Sequence, residues 1–149
     1  MRQRALDYLG KREYSYYELS QKLKPFVEEP DGTGVEQITA ILEDFKKRGW
    51  LSDERFTEQM VYARKAKFGS AKVANELREK GVAENLIADA IDKLKETEFD
   101  NALAIWRKKY KASPQNREEW AKQARFLQSR GFGFDLIKKV LNSKFEYDN

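Results

Sequence analysis

An all-α fold of three tandem three-helix repeats is what this sequence predicts, and three observations predict it. Apolar residues recur at spacings of three and four in nearly every segment, the period of a helix, and β-branched residues never alternate as they would in a strand. Proline occurs only at Pro25, Pro30 and Pro114, so few positions forbid a helix. A shift of 50 residues lays the middle of the chain on its end: Leu77 falls on Leu127, Gly81 on Gly131, Val82 on Phe132, Leu86 on Leu136, Ile87 on Ile137, Ala90 on Val140 and Ile91 on Leu141. The first third fits more loosely, with Leu23 resembling Leu77, and Ile38, Ile41 and Leu42 matching Ile87, Ala90 and Ile91. The expected repeats are 1–50, 51–97 and 98–149. A unit of this size buries little core alone. Stacking three is expected to give an elongated, curved helical body with a long surface.

Each helix has its own signals. Leu6 and Leu9 mark the first. Ser15-Tyr16-Tyr17-Glu18 reads as a capping box opening the second, with Leu19 and Leu23 on one face. Two prolines, two glycines and several acids make Pro25 to Gly34 a loop. The third helix carries Ile38, Ile41, Leu42 and Phe45 and stops at Gly49. Ser52-Asp53 caps the fourth, which carries Phe56, Met60 and Ala63 and breaks at Gly69-Ser70. The fifth turns Val73 and Leu77 inward and ends at Gly81; the sixth carries Ile87, Ala90, Ile91 and Leu94. Ala102, Ile105 and Trp106 belong to the seventh, ending near Ser113-Pro114. Asn116-Arg117-Glu118-Glu119 is a second capping box, starting a helix through Trp120, Ala124 and Leu127 to Gly131. The ninth carries Leu136, Ile137, Val140 and Leu141, and Phe145 to Asn149 reads as a loose tail.

Composition narrows the chemistry. The 149 residues are 40% hydrophobic, 36% charged and 13% aromatic, which is polar for a globular chain but too aromatic for a disordered one. Without cysteine there is no disulfide, thiol nucleophile or thiolate zinc site. Without histidine there is no imidazole base, histidine ligand or Ser-His triad. No stretch approaches the roughly 20 apolar residues of a membrane span, and Met1-Arg2-Gln3-Arg4 leads into no apolar signal segment. A cytoplasmic, monomeric, non-enzymatic protein without cofactor or metal is expected. The net charge of +4 favours an anionic partner, nucleic acid or an acidic protein groove, over a neutral one.

Four motifs in order along the chain resemble the RecX family of bacterial recombination regulators. Arg4-Ala5-Leu6-Asp7-Tyr8-Leu9, followed by Arg12-Glu13-Tyr14-Ser15 and Glu18-Leu19, is similar to its opening motif. Gly49-Trp50-Leu51-Ser52-Asp53-Glu54-Arg55-Phe56 resembles its most recognisable signature. Gly69 to Lys72 with Glu76-Leu77-Arg78-Glu79-Lys80-Gly81-Val82 resembles the middle motif, and Phe126-Leu127 with Arg130-Gly131-Phe132 the closing one. Two places depart from the pattern: the loop from Pro25 to Gly34, and Thr57, where a small apolar residue is usual. The resemblance implies a modulator that binds RecA filaments on single-stranded DNA and suppresses strand exchange, ATP hydrolysis and co-protease function. Its setting would be DNA repair and the SOS response. It also implies tandem three-helix repeats.

The candidate contacts to partner or nucleic acid are Lys72, Arg78 and Lys80 in the middle, Arg107, Lys108 and Lys109 in a basic run, and Arg130, Lys138 and Lys139 near the end. Lys65, Lys67 and Lys111 flank these clusters. For any one of them a solvated helix face is the commoner reading, and acids interrupt most runs, so direct DNA binding should be weak. Trp50, Trp106, Trp120 and Phe132 suit packing between units or partner anchoring. Tyr14, Tyr16 and Tyr17 cannot all face one core, so at least one is expected at the surface. Asp53-Glu54 reads as structural capping, and neither Gly131-Phe132-Gly133 nor Gly32-Thr33-Gly34 has the context of a phosphate loop. Two other functions stay open: a helical nucleic-acid-binding module acting without RecA, and a helical adaptor for an unrelated protein.

Overall fold

The computed structural model describes residues 1–27 and 33–147, the stretch 143–147 as backbone alone. Among the described residues there is no strand, and nine α-helices follow one another. They are α1 (Arg2–Leu9), α2 (Tyr16–Leu23), α3 (Thr33–Lys47), α4 (Asp53–Arg64), α5 (Ser70–Glu79), α6 (Glu84–Lys95), α7 (Glu98–Lys109), α8 (Arg117–Ser129) and α9 (Phe134–Tyr147). The expected loop from Pro25 to Gly34 is shorter than its composition implied. Lys24–Phe26 closes a 3₁₀ turn, α3 already begins at Thr33, and residues 28–32 lie outside the described residues. At the other end α9 continues to Tyr147, where a tail from Phe145 was expected, and only 148–149 lie outside. No helix among the described residues is long and apolar enough to cross a membrane.

Two compact units divide the chain. Unit 1 comprises Met1–Gln59 and Leu77–Ile87; unit 2 comprises Met60–Glu76 and Ala88–Asn149. The core of unit 1 gathers Ala5, Tyr14, Leu19, Leu23, Ile38, Leu42, Phe45 and Leu51. These are the apolar stripes of α1, α2 and α3 closed by the step after Gly49. Unit 2 centres on Ala102, Ile105, Trp106, Leu127, Phe132, Ile137, Val140 and Leu141. The Trp106 indole N–H is satisfied inside that core, donating to Gln123 Oε1 at 2.8 Å. Trp106 and Phe132 are therefore core residues, whereas Trp50 stays 43% exposed beside Phe45.

The caps follow the sequence signals with one twist. Ser15 Oγ accepts from Glu18 N at 3.0 Å and Asn116 Oδ1 from Glu119 N at 2.9 Å, so both residues cap helices as expected, while the Glu18 carboxylate pairs with Arg12 and Lys80. Glu119 Oε2 accepts from the backbone of Gln115, one residue before the cap, at 2.7 Å. In α4 the capping is done by Ser52, whose hydroxyl accepts from Arg55 N at 3.2 Å. Asp53, expected to cap its own helix, sends its carboxylate to Tyr16 N at 2.8 Å and so caps α2. Ser70 N receives the same service from the buried Glu98 carboxylate, also at 2.8 Å. Gly81 and Gly131, which the 50-residue shift superimposed, both take positive φ (74° and 97°) at the ends of α5 and α8.

Candidate partner interface

In unit 1 the expected bases are neutralised by neighbours. Arg78 Nε lies 2.7 Å from Glu84 Oε1. The Lys80 ammonium sits 3.3 Å from Glu18 Oε2, and Arg12 reaches that same oxygen at 2.9 Å. Burial alone would raise the Glu18 carboxyl. The hydrogen bonds from Arg12 and Lys80, together with their charges, outweigh it and hold the group below its ordinary value. Around this cluster Tyr17 is 48% exposed and stands over Gly81, while Tyr14 is buried and Tyr16 half-buried. A cleft of about 720 Å³ opens between Tyr16, Tyr17, Glu43, Asp53, Gly81 and Leu86. Its acids and bases nearly balance.

Unit 2 arranges its bases differently. The turn after α8 approaches the start of α5, where Gly69 N donates to Arg130 O at 2.7 Å and Ala71 N to Gly131 O at 3.2 Å. Only glycine at 69 permits this, since a Cβ there would stand 2.6 Å from the Gly131 carbonyl. The approach sets Lys72 and Phe68 beside Arg130, and the Lys72 ammonium donates to Ser129 O at 3.0 Å. A chain of cations on rings results. Lys72 Nζ lies 5.0 Å from the Phe68 centroid, and Arg130 Cζ 5.8 Å from Phe68 and 5.2 Å from Phe126. Lys109 Nζ follows at 4.3 Å from Phe126 and 5.9 Å from Tyr110, whose ring meets Phe126 edge-on at 5.7 Å. No described carboxylate lies within ion-pair distance of Lys72, Lys109 or Arg130.

The remaining candidates sit on open helix faces. Arg107 and Lys108 are exposed on the last turn of α7, where positive charge also offsets the helix dipole. Lys138 lies 5.1 Å over Phe134, which is 61% exposed and edge-on to Trp120; Lys139 is exposed. Lys72 thus belongs with Lys109 and Arg130 in unit 2, while Arg78 and Lys80 belong to unit 1. Sequence reasoning named the cations and missed two of their rings, Phe68 and Tyr110. A trace was there: Phe68 precedes Lys72, and Phe126 precedes Arg130, by four residues.

Fold and surface together define an all-helical protein of small tandem units that carries an unpaired basic surface. Residues 52–91 match the second three-helix domain of RecX, and residues 96–141 match the third. The chain is 38% identical over 149 residues to "Regulatory protein RecX" of Leptothrix cholodnii, covering 98% of this chain and 92% of that one. It is 37% identical over 143 residues to "Regulatory protein RecX" of Herbaspirillum seropedicae, covering 96% and 90%. A crystal structure of RecX from Lactobacillus salivarius shares the fold, with a TM-score of 0.77 at 20% identity over 95% of this chain and 92% of the other. The chain belongs to the RecX family of regulatory proteins.

Proposed function

We propose that this protein binds RecA filaments on single-stranded DNA and restrains them, lowering recombinase, ATPase and co-protease activity by occupancy and without catalysis of its own. The observation that carries this reading is likeness along nearly the whole chain to proteins named as RecX regulators. Cytoplasm is the compartment such a partner implies, and a monomer the working state. We read the chain as three repeats, 1–50, 51–97 and 98–149, in support of which the matched domains begin at 52 and 96. Of the candidate contacts, Lys72, Lys109, Arg107, Lys108, Arg130, Lys138 and Lys139 remain available for an anionic surface. Arg78 and Lys80 would first have to leave Glu84 and Glu18.

The test is DNA-dependent ATP hydrolysis by the cognate RecA with this protein titrated in. Hydrolysis should fall at substoichiometric protein; unchanged hydrolysis at equimolar protein overturns the reading. A helical module that binds nucleic acid without RecA is the second reading. The unpaired cations of unit 2 favour it, and duplex affinity that survives without RecA would distinguish it.

A further inference from the structure

We propose that the cleft of unit 1 between Tyr16, Tyr17, Glu43 and Glu54 docks an arginine-bearing segment of a protein partner. This surface is distinct from the bases of unit 2. Charge is the first reason. Acids outnumber bases along the chain segments of unit 1, whereas unit 2 carries more than the whole net charge of +4. The near balance of charge around the cleft is nominal, because Arg55, one of its two bases, is spent on Glu13 at 2.9 Å, outside the lining. That leaves Lys46 against the exposed carboxylates of Glu43 and Glu54, neither of which has a described cation within ion-pair distance. The rings are the second reason. Tyr17 is 48% exposed and Tyr16 half-buried. No described cation covers either ring, in contrast to Phe68, Phe126 and Tyr110 of unit 2.

Ring beside carboxylate is the seat that unit 1 already gives its own arginines. Arg12 lies 3.5 Å over the Tyr14 ring while two of its N–H groups hold Glu18, at 3.0 and 2.9 Å. Arg2 lies 4.9 Å over Phe45 and 2.8 Å from Asp44. Such a seat suits a guanidinium better than an ammonium, since the plane stacks on the ring while the edge donates paired hydrogen bonds. In the cleft the Tyr16 hydroxyl donates to Glu43 Oε1 at 3.2 Å, which fixes that carboxylate beside the ring. Burial first, then the bond to Glu43, raise the Tyr16 phenol above its ordinary value, so it stays a neutral donor. Leu51 and Leu86 line the same cleft with apolar surface for an aliphatic stem. Its volume of about 720 Å³ takes a few residues of extended chain. A helix, roughly 10 Å across, is as wide as the cleft itself. Most bases of unit 2 ride on helices, so a flexible segment of another protein fits where a second copy does not.

The inference does not rest on RecA binding, and its test contains neither RecA nor nucleic acid, so either can fail alone. Fluorescence anisotropy is measured with labelled hexa-arginine, hexalysine and hexaglutamate peptides at low salt. Hexa-arginine should bind despite the net positive charge of the protein, and more tightly than hexalysine. Added salt should weaken it. Glu43→Gln with Glu54→Gln should weaken it by about fivefold, the scale of two partly exposed ion contacts. Asp89→Asn with Asp92→Asn removes the same charge from exposed acids of unit 2 and should leave binding close to wild type. Tyr17→Leu should narrow the preference for arginine over lysine, a readout that charge alone would not move, and Tyr17→Phe, which keeps the ring, should retain it. Helical circular dichroism confirms that each variant is folded. If Tyr17→Leu does not fold, because that ring packs on Gly81, the double variant at Glu43 and Glu54 decides alone. Wild-type protein that ignores hexa-arginine at low salt, or a folded double variant that binds it like wild type, overturns the proposal. So does hexaglutamate binding as tightly as hexa-arginine. A salt-sensitive dimer in sedimentation velocity, abolished by Glu43→Gln with Glu54→Gln, overturns it too and makes the occupant a second copy.

Discussion

In unit 1 the first turn of α2 meets the turn after α5; in unit 2 the first turn of α5 meets the turn after α8. Both joints carry an acid that caps the incoming helix, Asp53 on Tyr16 N and Glu98 on Ser70 N. Both close on a glycine at positive φ. They differ in the fastening. The first is held by a side chain, Ser15 Oγ donating to Lys80 O at 2.6 Å, with Glu18 clamped between Arg12 and Lys80 beside it. The second closes on main-chain bonds, Gly69 N to Arg130 O and Ala71 N to Gly131 O, with the Lys72 ammonium on Ser129 O and an Arg130 N–H on Lys67 O only at its edge. One geometry can therefore be secured by groups that substitution or titration removes, or by groups that only steric intrusion disturbs. The same difference decides the chemistry at the surface. Lys80 is consumed by its own joint, while Lys72 and Arg130 are set beside one another by theirs and keep their charge.

The comparison breaks most severely where a Cβ would enter the main-chain joint. Gly131→Ala forces an alanine into the left-handed region and puts its Cβ 2.7 Å from Lys72 Cβ and 2.8 Å from Lys72 N. Left-handed strain of about 1–2 kcal/mol and overpacking of about 1–3 kcal/mol combine, so about 3 kcal/mol of stability should be lost in urea denaturation. Gly69→Ala should cost a similar amount, because both atoms that it meets at 2.6 Å are backbone and cannot swing away. In unit 1 the matching perturbation is Ser15→Ala, which leaves the backbone paths in place. It removes one cap and strands the part-buried Lys80 carbonyl, a loss of about 2 kcal/mol. A Ser15→Ala loss as large as that of Gly69→Ala would erase the distinction between the two fastenings.

Thr57 gives a background against which to read those losses. It is buried at 3% exposure in unit 1, and its hydroxyl has no hydrogen-bond partner among the described residues. Thr57→Val keeps the shape and removes the unpaired hydroxyl, so stability should rise by about 1 kcal/mol. The urea midpoint should move up with no change in slope. A fall in midpoint would mean that the hydroxyl is satisfied in solution.

What was legible in the sequence is what is decided locally. The caps at Ser15 and Asn116 and the helix ends at Gly49, Gly81 and Gly131 are written within four residues of where they act. The repeat offset makes Gly81 and Gly131 equivalents from the sequence alone. The joints were illegible, because Asp53 acts on a residue 37 positions away and Glu98 on one 28 away. Asp53 also has a local role on offer, as a cap for α4, which hides the distant one. The interface followed the same division. The bases were named one by one from their runs, and Lys72 was grouped with Arg78 and Lys80 through nearness in sequence. Its neighbours in space are Phe68 and Arg130, and only the pairing of Gly69 with Gly131 reveals that.

The smallest expected effect concerns charge at the side-chain joint. Glu18 has a carboxyl held below its ordinary value by Arg12 and Lys80 against the opposing pull of burial. A carboxyl depressed in the folded state adds stability that is fully present above its unfolded value, about 4.3. That contribution is lost as pH falls through the lower, folded value. Acid should therefore weaken unit 1 from roughly pH 5 downward. Asp44, lowered by hydrogen bonds from Arg2 and Arg48, adds to the same trend. Glu18→Gln cannot ionise, so at neutral pH it should be less stable than wild type by no more than about 1 kcal/mol, the scale of a partly exposed ion pair. The gap should close as pH falls through the Glu18 titration, and also as salt screens the cluster at neutral pH. Urea midpoints of the two proteins at several pH values read this directly. A gap that stays constant to below pH 3 would assign the cost of Glu18→Gln to lost packing, and the joint of unit 1 would then be as indifferent to titration as main chain.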